Sequence, residues 1–491
     1  MRRYIGIIAI IVVTKAAVSQ TMVSGNQSGV WTAAGSPYIV NGEIIVPAGE
    51  TLEIQSGVEV NFQGHYKFTV NGELQALGTE TDSIYFTTDI PATGWGGIRI
   101  ESDEICSLSY CRIEFGKTMG EYPDIHGGGL ALLSSNASVS NCVFADNDAT
   151  GSDNGSGGAV YAYNTGSPSE TLTTFTDCIF TGNHAYGEGG AIQFTGDINS
   201  ELTGCLFLDN DCQYGGGAVS GYTISGTEFT RCLFADNSTA YSNGGAIHTL
   251  GMGNTLYLIN CTFSSNSAVA GDGGAIDLAY AAGYFVNTII YDNPGMYSND
   301  LFLDMSGSAE VYYCDVQLPP GATGANNFYE DPQFTDPGSQ DFSLLPTSIC
   351  IDTGIAFFVL DGDTLVDMDP EEYFGPAPDV GAFEFNDGSG VTNNQETGQT
   401  VIRLSQNSPN PFNTSTSISY DLYENSYVSV IVYDLYGRVI KTLVKGEETA
   451  GSRSVVWNGR SSDELEVPAG TYIIRLHAGT VTESVKTVVI R

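Results

Sequence analysis

Four carboxylates lie within nine residues, at Asp361, Asp363, Asp367 and Asp369. Hard cations bind several oxygen ligands at once, so these residues are candidate ligands of a calcium ion. The alternative interpretation is an acidic surface turn, because the twelve-residue calcium-loop pattern is absent from the sequence. The sequence suggests no cofactor other than this calcium ion.

Residues for acid–base or nucleophilic catalysis show no characteristic spacing. Asp124, His126, His184 and His248 match neither a metal-ligand pattern nor a catalytic triad, so each is expected in a loop or at the surface. The chain has no Gly-x-Ser-x-Gly elbow and no phosphate-binding loop. A glycoside hydrolase needs two carboxylates about 5–10 Å apart, and the abundance of acidic residues leaves that possibility open.

A lyase acting on uronates would need cations to neutralise the substrate carboxylate. Few basic side chains are available between residues 60 and 400, and they are Lys67, Arg99, Arg112, Lys117 and Arg231. Arg231 directly precedes a cysteine of the repeats described next, where we expect a solvated, outward position. The sequence therefore offers little support for such a lyase.

An internal repeat organises most of the chain. The segment 141–147, Asn-Cys-Val-Phe-Ala-Asp-Asn, recurs with a period of about 27 residues. Its cysteine recurs as Cys142, Cys178, Cys205, Cys232 and Cys261, and its last asparagine recurs as Asn147, Asn183, Asn210, Asn237 and Asn266. A second motif, Gly-Gly-Ala followed by Ile or Val, alternates with the first and begins at Gly157, Gly189, Gly216, Gly244 and Gly273.

Alternation after each Gly-Gly indicates a strand with one buried face. One face is apolar in every copy, whereas the other is variable and contains Tyr161, Gln193, Ser220, His248 and Asp277. No stretch shows helical periodicity, and parallel strands without crossover helices stack as a coil of strands. The sequence predicts an all-β fold, a parallel β-helix of about ten coils rising about 4.8 Å each.

Two sets of side chains would then form columns along the coils. The first is a set of tyrosines expected to be exposed, either for stacking on sugar rings or as scattered surface residues, and it contains Tyr161, Tyr163, Tyr214, Tyr222 and Tyr241. The second is a set of aspartates before the repeated asparagine, and it contains Asp146, Asp209, Asp236 and Asp292. Because like charges repel, these aspartates either share calcium or lie apart in water.

The five repeat cysteines are expected to be buried and mostly reduced. Ten cysteines in an exported protein would ordinarily suggest disulfides. However, equivalent side chains in successive coils point the same way, and Thr288 occupies the next position of the same column. The sequence does not decide the state of the remaining cysteines, Cys106, Cys111, Cys212, Cys314 and Cys350.

The repeats resemble those of polymorphic outer-membrane proteins, and segments 46–54 and 94–98 resemble the opening of secreted β-helix proteins. This resemblance covers about residues 30–317 and implies a right-handed parallel β-helix of the pectin-lyase-like type. Residues 318–387 are similar to the closing segment of secreted β-helices, which would cover exposed strand edges at the end of the solenoid. Residues 388–400 have the composition of a linker.

The C-terminal residues 401–491 predict a small immunoglobulin-like β-sandwich. Segments 410–413, 432–438, 469–472 and 486–491 resemble the sorting domains of the type IX secretion system and the related domain of flagellar hook-cap proteins. The resemblance implies that outer-membrane secretion machinery is a partner of this domain. It also implies an extracellular or outer-membrane-associated location in a Gram-negative-type bacterium.

Residues 1–19 resemble a secretory signal peptide, with Arg2 and Arg3 before an apolar run that is too short to span a membrane. Residues 20–317 would form the β-helix. No further stretch is long and apolar enough to be a transmembrane segment. We therefore expect export without a membrane anchor of this kind, and a monomer.

The formal net charge is −40, and residues 401–491 contribute nothing to it because they contain nine basic and nine acidic side chains. A body with so few Lys and Arg residues is unsuited to nucleic acid. The first functional hypothesis is a non-catalytic, surface-displayed protein with an adhesive, structural or glycan-binding role. Its partner would be an extracellular polysaccharide or a host or neighbouring surface. The alternative is a secreted polysaccharide lyase or glycoside hydrolase.

Overall fold

The computed structural model describes residues 20–151, 154–164, 172–196, 198–222, 225–296, 300–369, 372–386, 402–405, 407–422, 426–434, 439–462, 465–478 and 481–490. The predicted signal peptide and linker lie outside these ranges. Within them the chain contains strands and two short 3-10 turns, Ala33–Gly35 and Pro337–Ser339, and no α-helix. Nor is any described helix long and apolar enough to cross a membrane.

Successive coils stack in register and form three long parallel sheets. Sheet 1 contains the strands that follow Gly-Gly pairs and the equivalent strands of the flanking coils: Phe68–Val70, Ile98–Ile100, Leu130–Leu133, Val160–Tyr163, Ile192–Thr195, Val219–Tyr222 and Leu301–Asp304. Sheet 2 contains Gly29–Trp31, Thr51–Gln55, Glu73–Leu77, Cys106–Ser109, Ala137–Ser140, Leu172–Thr176, Asn199–Thr203, Ser225–Thr230, Ser308–Tyr312 and Thr323–Ala325. Sheet 3 contains Glu59–Phe62, Ile84–Thr87, Cys111–Glu114, Val143–Ala145, Ile179–Thr181, Leu206–Leu208, Leu233–Ala235, Thr262–Ser264, Ile289–Tyr291 and Asp315–Val316.

Four longer strands bend from one sheet into another. Thr21–Asn26 and Tyr38–Val46 join sheets 3 and 1, and Ile247–Ile259 and Ile276–Val286 join sheets 1 and 2. A narrow fourth sheet of two-residue strands contains Asp148–Ala149, His184–Ala185, Asp211–Cys212, Ser238–Thr239 and Ser267–Ala268. The predicted β-helix is therefore confirmed, and its last parallel strand ends at Ala325, slightly beyond the predicted boundary.

Phenylalanines of sheet 3 form a stacked column through the interior. The rings of Phe144, Phe180, Phe207, Phe234 and Phe263 are nearly parallel, with successive centroids 4.5–5.0 Å apart. This spacing is close to the separation of neighbouring strands, about 4.8 Å, so each ring packs directly on the next. The apolar face that the alternation predicts is thus the lining of the solenoid core.

The repeat asparagines form a second column, which is fully buried. In each coil the backbone N–H and the side-chain Nδ2 of one asparagine donate to Oδ1 of the asparagine in the next coil, at 2.8–3.1 Å. The column continues beyond the predicted five residues through Asn293 and ends on the carboxylate of Asp300. These bonds satisfy polar groups that would otherwise be costly to bury.

The repeat cysteines form a third buried column, and each Sγ lies 3.2–3.6 Å from a backbone carbonyl oxygen. The structure adds two cysteines that the sequence left undecided. Cys111 precedes the column, since its N–H points to Sγ of Cys142, and Cys314 follows Thr288 at its other end. Burial raises the pKa of Cys142, Cys178 and Cys205, so these thiols stay protonated.

All ten cysteines belong to the described part of the chain, where they are buried and unpaired. Cys106 lies in sheet 2, Cys212 packs against Ala149 and Ala185 in the fourth sheet, and Cys350 lies against Asp315. The positions are those of small interior side chains. Their oxidation state in solution remains a prediction.

Each copy of the Cys-to-Asn motif has two left-handed turn residues. The residue before each cysteine of the column has φ between 47° and 65°, as at Asn141, Asp177 and Arg231. The residue before each asparagine has φ between 52° and 63°, as at Asp146 and Asp209. Asn, Asp and Gly adopt this conformation most readily, which explains why the motif has these residues at its corners.

Residues 318–330 stack on the end of the solenoid, where Thr323–Ala325 pairs with Ser308–Tyr312 and the N–H of Phe328 donates to the carbonyl oxygen of Cys314. The rest of the predicted closing segment, residues 331–386, packs along the side of the coils. Two hairpins, Phe334–Asp336 with Asp341–Leu344 and Phe357–Leu360 with Asp363–Asp367, are part of it. Phe342 packs on Leu233, and Val366 packs on Ile259 and Val286. The physical reason is that outward positions of these coils are apolar and need cover.

The C-terminal residues form the predicted sandwich of two antiparallel sheets. One sheet contains Ile402–Leu404, Thr416–Leu422 and Gly451–Trp457; the other contains Ser426–Asp434, Val439–Glu448, Gly470–Ala478 and Val481–Val489. Trp457 lies at the centre of their core. Arg475 of this domain pairs with Glu80 of the solenoid at 3.0 Å, and Lys445 lies 3.7 Å from Asp82.

Candidate functional site

The variable outer face of sheet 1 is covered, which corrects the expectation that only one face of these strands is buried. Tyr161 is 4% exposed, and Gln193, Ser220, His248 and Asp277 are also buried. The loops that precede each Gly-Gly motif fold back over this face. Ser220 donates to Glu188, for example, and Asn243 donates to Asp277.

The loop 119–127 covers the N-terminal part of this face and is held by charged groups. Asp124 accepts from Nζ of Lys67 at 2.9 Å and lies 3.8 Å from Nε of Arg99. Nη1 of Arg99 also donates to the carbonyl oxygen of Gly127 at 2.5 Å. Burial lowers the pKa of Arg99 to about 10, an effect opposed by Asp124 and Glu101, so the guanidinium stays charged at neutral pH.

The loop and sheet 1 together form an aromatic cluster of Tyr122, His126, Tyr161 and Tyr163. His126 stacks on Tyr161, with ring centroids 4.3 Å apart and an interplanar angle of 17°. Tyr122 lies edge-on to Tyr163, with centroids 6.1 Å apart and an angle of 89°. Two nearly perpendicular rings therefore form adjoining walls at the protein surface.

His126 is neutral in this cluster. Its Nδ1 accepts from the backbone N–H of Ser156 at 3.1 Å. Burial, and then the positive charge of Arg99, lower its pKa to about 4. The imidazole therefore packs as an uncharged ring on Tyr161 and fixes the end of the loop that carries Tyr122.

A cavity of about 660 Å³ lies beside this cluster and is named here the Tyr122 cavity. Tyr122 and Tyr163 form its aromatic side, and Glu101, Ser102, Asp103 and Asn71 are among its polar lining residues. Glu101 and Asp103 are exposed, whereas Ser102 is buried and its N–H donates to Oγ of Ser135. Aromatic faces beside carboxylate and hydroxyl groups suit a ligand with both apolar and hydrogen-bonding surfaces.

The predicted tyrosine set divides between buried and exposed positions. Tyr161 is buried, so its predicted exposure is wrong, and Tyr163 is half-buried in the cluster. Tyr214, Tyr222 and Tyr241 are exposed. Tyr214 also lies between Tyr186 and Tyr241, with ring centroids 5.9 and 6.2 Å apart, so an aromatic row follows the loops of three coils.

His248 and Asp277 form a buried pair on the covered face, whereas the sequence predicts a loop or surface histidine. Nε2 of His248 lies 3.4 Å from Oδ2 of Asp277, and their side chains are 9% and 1% exposed. Burial raises the pKa of Asp277 to about 7 and lowers that of His248. The pair has the chemistry of a proton-sharing dyad, but almost none of its surface is accessible.

Other predicted residues lie in ion pairs along the solenoid. His184 contacts Asp211 of the next coil at 2.5 Å, and that contact raises the pKa of His184. Arg231 is outward and partly exposed, but it pairs with Glu372 of the flanking segment at 3.2 Å. Lys117 pairs with Asp148 at 2.8 Å.

The aspartate column lies at the left-handed corners as predicted, but its partner differs from both alternatives considered. Nε2 of Gln340 donates to Asp209 and Asp236, at 2.7 and 3.1 Å. The flanking segment thus bridges two successive carboxylates with an amide. Calcium and water were the alternatives that the sequence left open between these carboxylates, and neither alternative included such an amide bridge.

The four carboxylates of the predicted calcium site are exposed and are not gathered around one point. Asp361 and Asp363 lie at the turn of a hairpin, whereas Asp367 pairs with Phe357 at its base. The strand between Asp363 and Asp367 therefore separates them by about 13 Å, since a strand rises about 3.3 Å per residue. Among the described residues no group of three or more His, Cys, Asp or Glu side chains has a metal-binding arrangement.

Tyr122, Glu101 and Asp103 are the site residues that sequence reasoning missed. All three lie outside the regular motifs, in loops of coils whose repeats are less clear. For Tyr122 the available signal was the segment 116–127 between two coils, which contains an aromatic residue and acidic residues, whereas Glu101 and Asp103 lie outside it. Insertions between repeats commonly form the binding face of a solenoid.

Stacked parallel sheets with a loop-built surface cavity define a β-solenoid protein with a ligand-sized site. Residues 9–293, more than half of the chain, match the family model of the right-handed beta helix region. The chain belongs to that right-handed β-helix family. Residues 407–481 match the FlgD Ig-like domain, and no curated protein matches the chain.

Proposed function

We propose that this protein is an exported, surface-displayed β-helix that binds a glycan without turning it over. The observation that carries the proposal is the Tyr122 cavity, where the perpendicular rings of Tyr122 and Tyr163 adjoin carboxylate and hydroxyl groups. Sugar rings combine apolar faces with hydroxyl edges. They therefore suit a site in which aromatic faces and hydrogen-bond acceptors converge.

The rigidity of the site supports binding. Tyr163 belongs to a strand that is paired on both sides, and Tyr122 belongs to a loop held by Lys67, Arg99 and Asp124. A site whose side chains are already ordered loses less conformational entropy when the ligand binds. The row formed by the half-buried Tyr186 and the exposed Tyr214 and Tyr241 would extend the contact surface for a long polymer.

Burial of the acid–base groups favours binding over catalysis. His248 and Asp277 are the pair best suited to proton transfer, yet their side chains are almost completely covered. A general base must come within hydrogen-bond reach of the proton that it removes. Polysaccharide cleavage remains the alternative function, and it would require loops over sheet 1 to move.

Binding and turnover are tested together with the full chain and a panel of neutral, acidic and amino-bearing polysaccharides. We expect retention of at least one polymer without new reducing ends or unsaturated products. Tyr122→Ala and Tyr163→Ala should each weaken retention about fivefold or more, since an aromatic stacking contact is worth about 1 kcal/mol. Tyr329→Ala is the matched control, because Tyr329 is an exposed tyrosine of the flanking segment. Formation of new reducing ends or unsaturated products would instead establish that the protein is a polysaccharide-cleaving enzyme.

Export is proposed to depend on residues 401–491, whose resemblance to sorting domains supports this role. Deletion of these residues should leave the protein in the periplasm, whereas the full chain reaches the surface or medium. A tail variant with Trp457→Ala, which removes the central side chain of that sandwich, should be retained in the same way. Equal export of full-length and truncated chains would overturn this part of the proposal.

A further inference from the structure

We infer that the ligand of the Tyr122 cavity is a cationic glycan, with free amino groups along its chain. This inference rests on the proposed function, because it accepts a glycan as the ligand and assigns its charge. The charged side chains that line the cavity are Glu101 and Asp103, and no Lys or Arg is among its lining residues. An ammonium group in the cavity would therefore meet two carboxylates, because the basic side chains lie outside its lining.

The nearest basic side chains already have acidic partners. Lys67 is paired with Asp124 at 2.9 Å, and Arg99 is buried beneath the loop with Asp124 and a backbone carbonyl as neighbours. The positive charges of Lys67 and Arg99 therefore stabilise the position of the loop 119–127. Glu101 lines the cavity, and its negative charge stabilises the charged form of Arg99. Asp103 is exposed to solvent at the cavity edge.

The aromatic walls suit the same ligand charge. The face of a tyrosine ring carries partial negative charge, so a cation within about 6 Å of the ring centroid is attracted to it. Tyr122 is 56% exposed and lines the cavity together with Tyr163, so ring surface is open to a ligand there. A sugar amine in the cavity would contact a tyrosine ring and a carboxylate together, whereas an uncharged N-acetyl group would lose both attractions.

The charge of the whole body favours a cationic polymer and disfavours a uronate polymer. All of the net charge of −40 lies before residue 401, because residues 401–491 contain equal numbers of basic and acidic side chains. Arg231 is the one basic residue between Lys117 and Arg403. Such a field attracts cationic polymers and repels anionic ones over about one Debye length, roughly 10 Å at moderate salt.

The test measures binding of the full chain to three oligomers of equal length: β-1,4-linked glucosamine, its N-acetylated form and galacturonate. Measurements are made below the pKa of the sugar amine, at low and high salt. We expect the glucosamine oligomer to bind at least about tenfold more tightly than the other two, and high salt to remove this preference. The double variant Glu101→Gln/Asp103→Asn should lose the preference while Tyr122→Ala lowers binding of every oligomer.

Asp363→Asn/Asp367→Asn is the matched control, because it removes the same charge from an exposed hairpin elsewhere. If this control loses the preference equally, the general field and not the cavity selects the ligand, and the inference is overturned. Equal binding of the glucosamine and N-acetylated oligomers would overturn the charge assignment but leave glycan binding intact. A lysine-rich peptide that binds more tightly than the glucosamine oligomer overturns the glycan assignment, and binding of no oligomer overturns the proposed function itself.

Discussion

Asn183 donates twice to one oxygen of Asn210: its backbone N–H lies 3.1 Å from Oδ1 of Asn210, and its Nδ2 lies 2.9 Å from the same atom. Nδ2 of Asn210 in turn donates to the carbonyl oxygen of Phe180 at 2.9 Å. Both residues are fully buried. Nδ2 of Asn210 also donates to Oδ1 of Asn237 at 2.9 Å, so one side chain hydrogen-bonds to four polar groups that water cannot reach.

Replacing Asn210 should destabilise the solenoid strongly. Asn210→Ala removes the partner of the Asn183 backbone N–H, of one of the two Nδ2–H donors of Asn183, and of the carbonyl oxygen of Phe180, and each orphaned group costs about 1–3 kcal/mol. The expected loss is about 3 kcal/mol or more, visible as a lower midpoint of thermal unfolding and faster hydrogen exchange in the neighbouring coils. Asn26→Ala, at an exposed asparagine, is the control and should change the midpoint little. Equal midpoints for both variants would contradict the role of the column.

Most of the cysteines should be free thiols. A thiol reagent added to denatured, unreduced protein should detect the members of the cysteine column, whereas the native protein should react slowly because all ten side chains are buried. The raised pKa of Cys142 and Cys178, caused by burial, slows the native reaction further since the thiolate is the reactive form. The same assay after reduction gives the total number of cysteine thiols. Absence of free thiol before reduction would show that the packing interpretation is wrong.

Stability should rise as the pH falls from about 8 to about 5.5. Burial raises the pKa of Asp277, Asp315 and Glu384 to about 7 and that of Asp300 to about 6. A carboxyl with a raised pKa in the folded state binds more protons there than in the unfolded chain, so its stabilising contribution is present at low pH and is lost as the pH rises through the folded pKa. Thermal unfolding across this pH range measures the effect.

Asp277→Asn separates this cause from the general relief of charge repulsion. The amide cannot ionise, so the slope of the unfolding midpoint against pH should become shallower in the variant. Asp363→Asn removes an exposed carboxylate and should leave the slope unchanged. A wild-type midpoint that rises from about pH 5.5 to about pH 8 would oppose the prediction.

The C-terminal sandwich should separate from the solenoid at high salt. Its contacts include the ion pairs of Arg475 with Glu80 and of Lys445 with Asp82, and Lys486 also pairs with Asp341. The basic partners are 30–44% exposed, and ion pairs that are partly exposed to solvent are weak and are screened by salt. Small-angle scattering should therefore report a larger radius of gyration at high salt, and Glu80→Gln/Asp82→Asn should have the larger radius already at low salt. A radius that does not depend on salt or on these residues would contradict electrostatic docking.

The sequence predicted the fold because its repeats are copies of a structural unit. The period of the Cys and Asn positions corresponds to one coil, and the Phe two residues after each Cys forms the stacked column. Cys111 and Cys314 escaped the prediction because the residues around them differ from the motif, with Ile113 and Val316 in the place of the Phe.

The candidate site was only partly predictable. Tyr163, Asp124 and His126 were noted from the sequence, but their proximity to Tyr122 depends on how an inserted loop folds over sheet 1. Periodicity shows which face of a strand points outward and gives no sign of what covers that face. For the same reason, His248 and Tyr161 were expected nearer to the surface than they lie.

The asparagine column has a polarity that constrains how coils can be exchanged. Every Oδ1 accepts from the preceding coil, and Nδ2 donates both to the Oδ1 of the following coil and back to a backbone carbonyl, so the last asparagine, Asn293, needs an acceptor beyond it. The carboxylate of Asp300 supplies that acceptor, much as an acidic residue caps the first turn of a helix. Whole coils can therefore be inserted or deleted within the column without disturbing its ends, whereas a truncation before Asp300 would require a new anionic terminator.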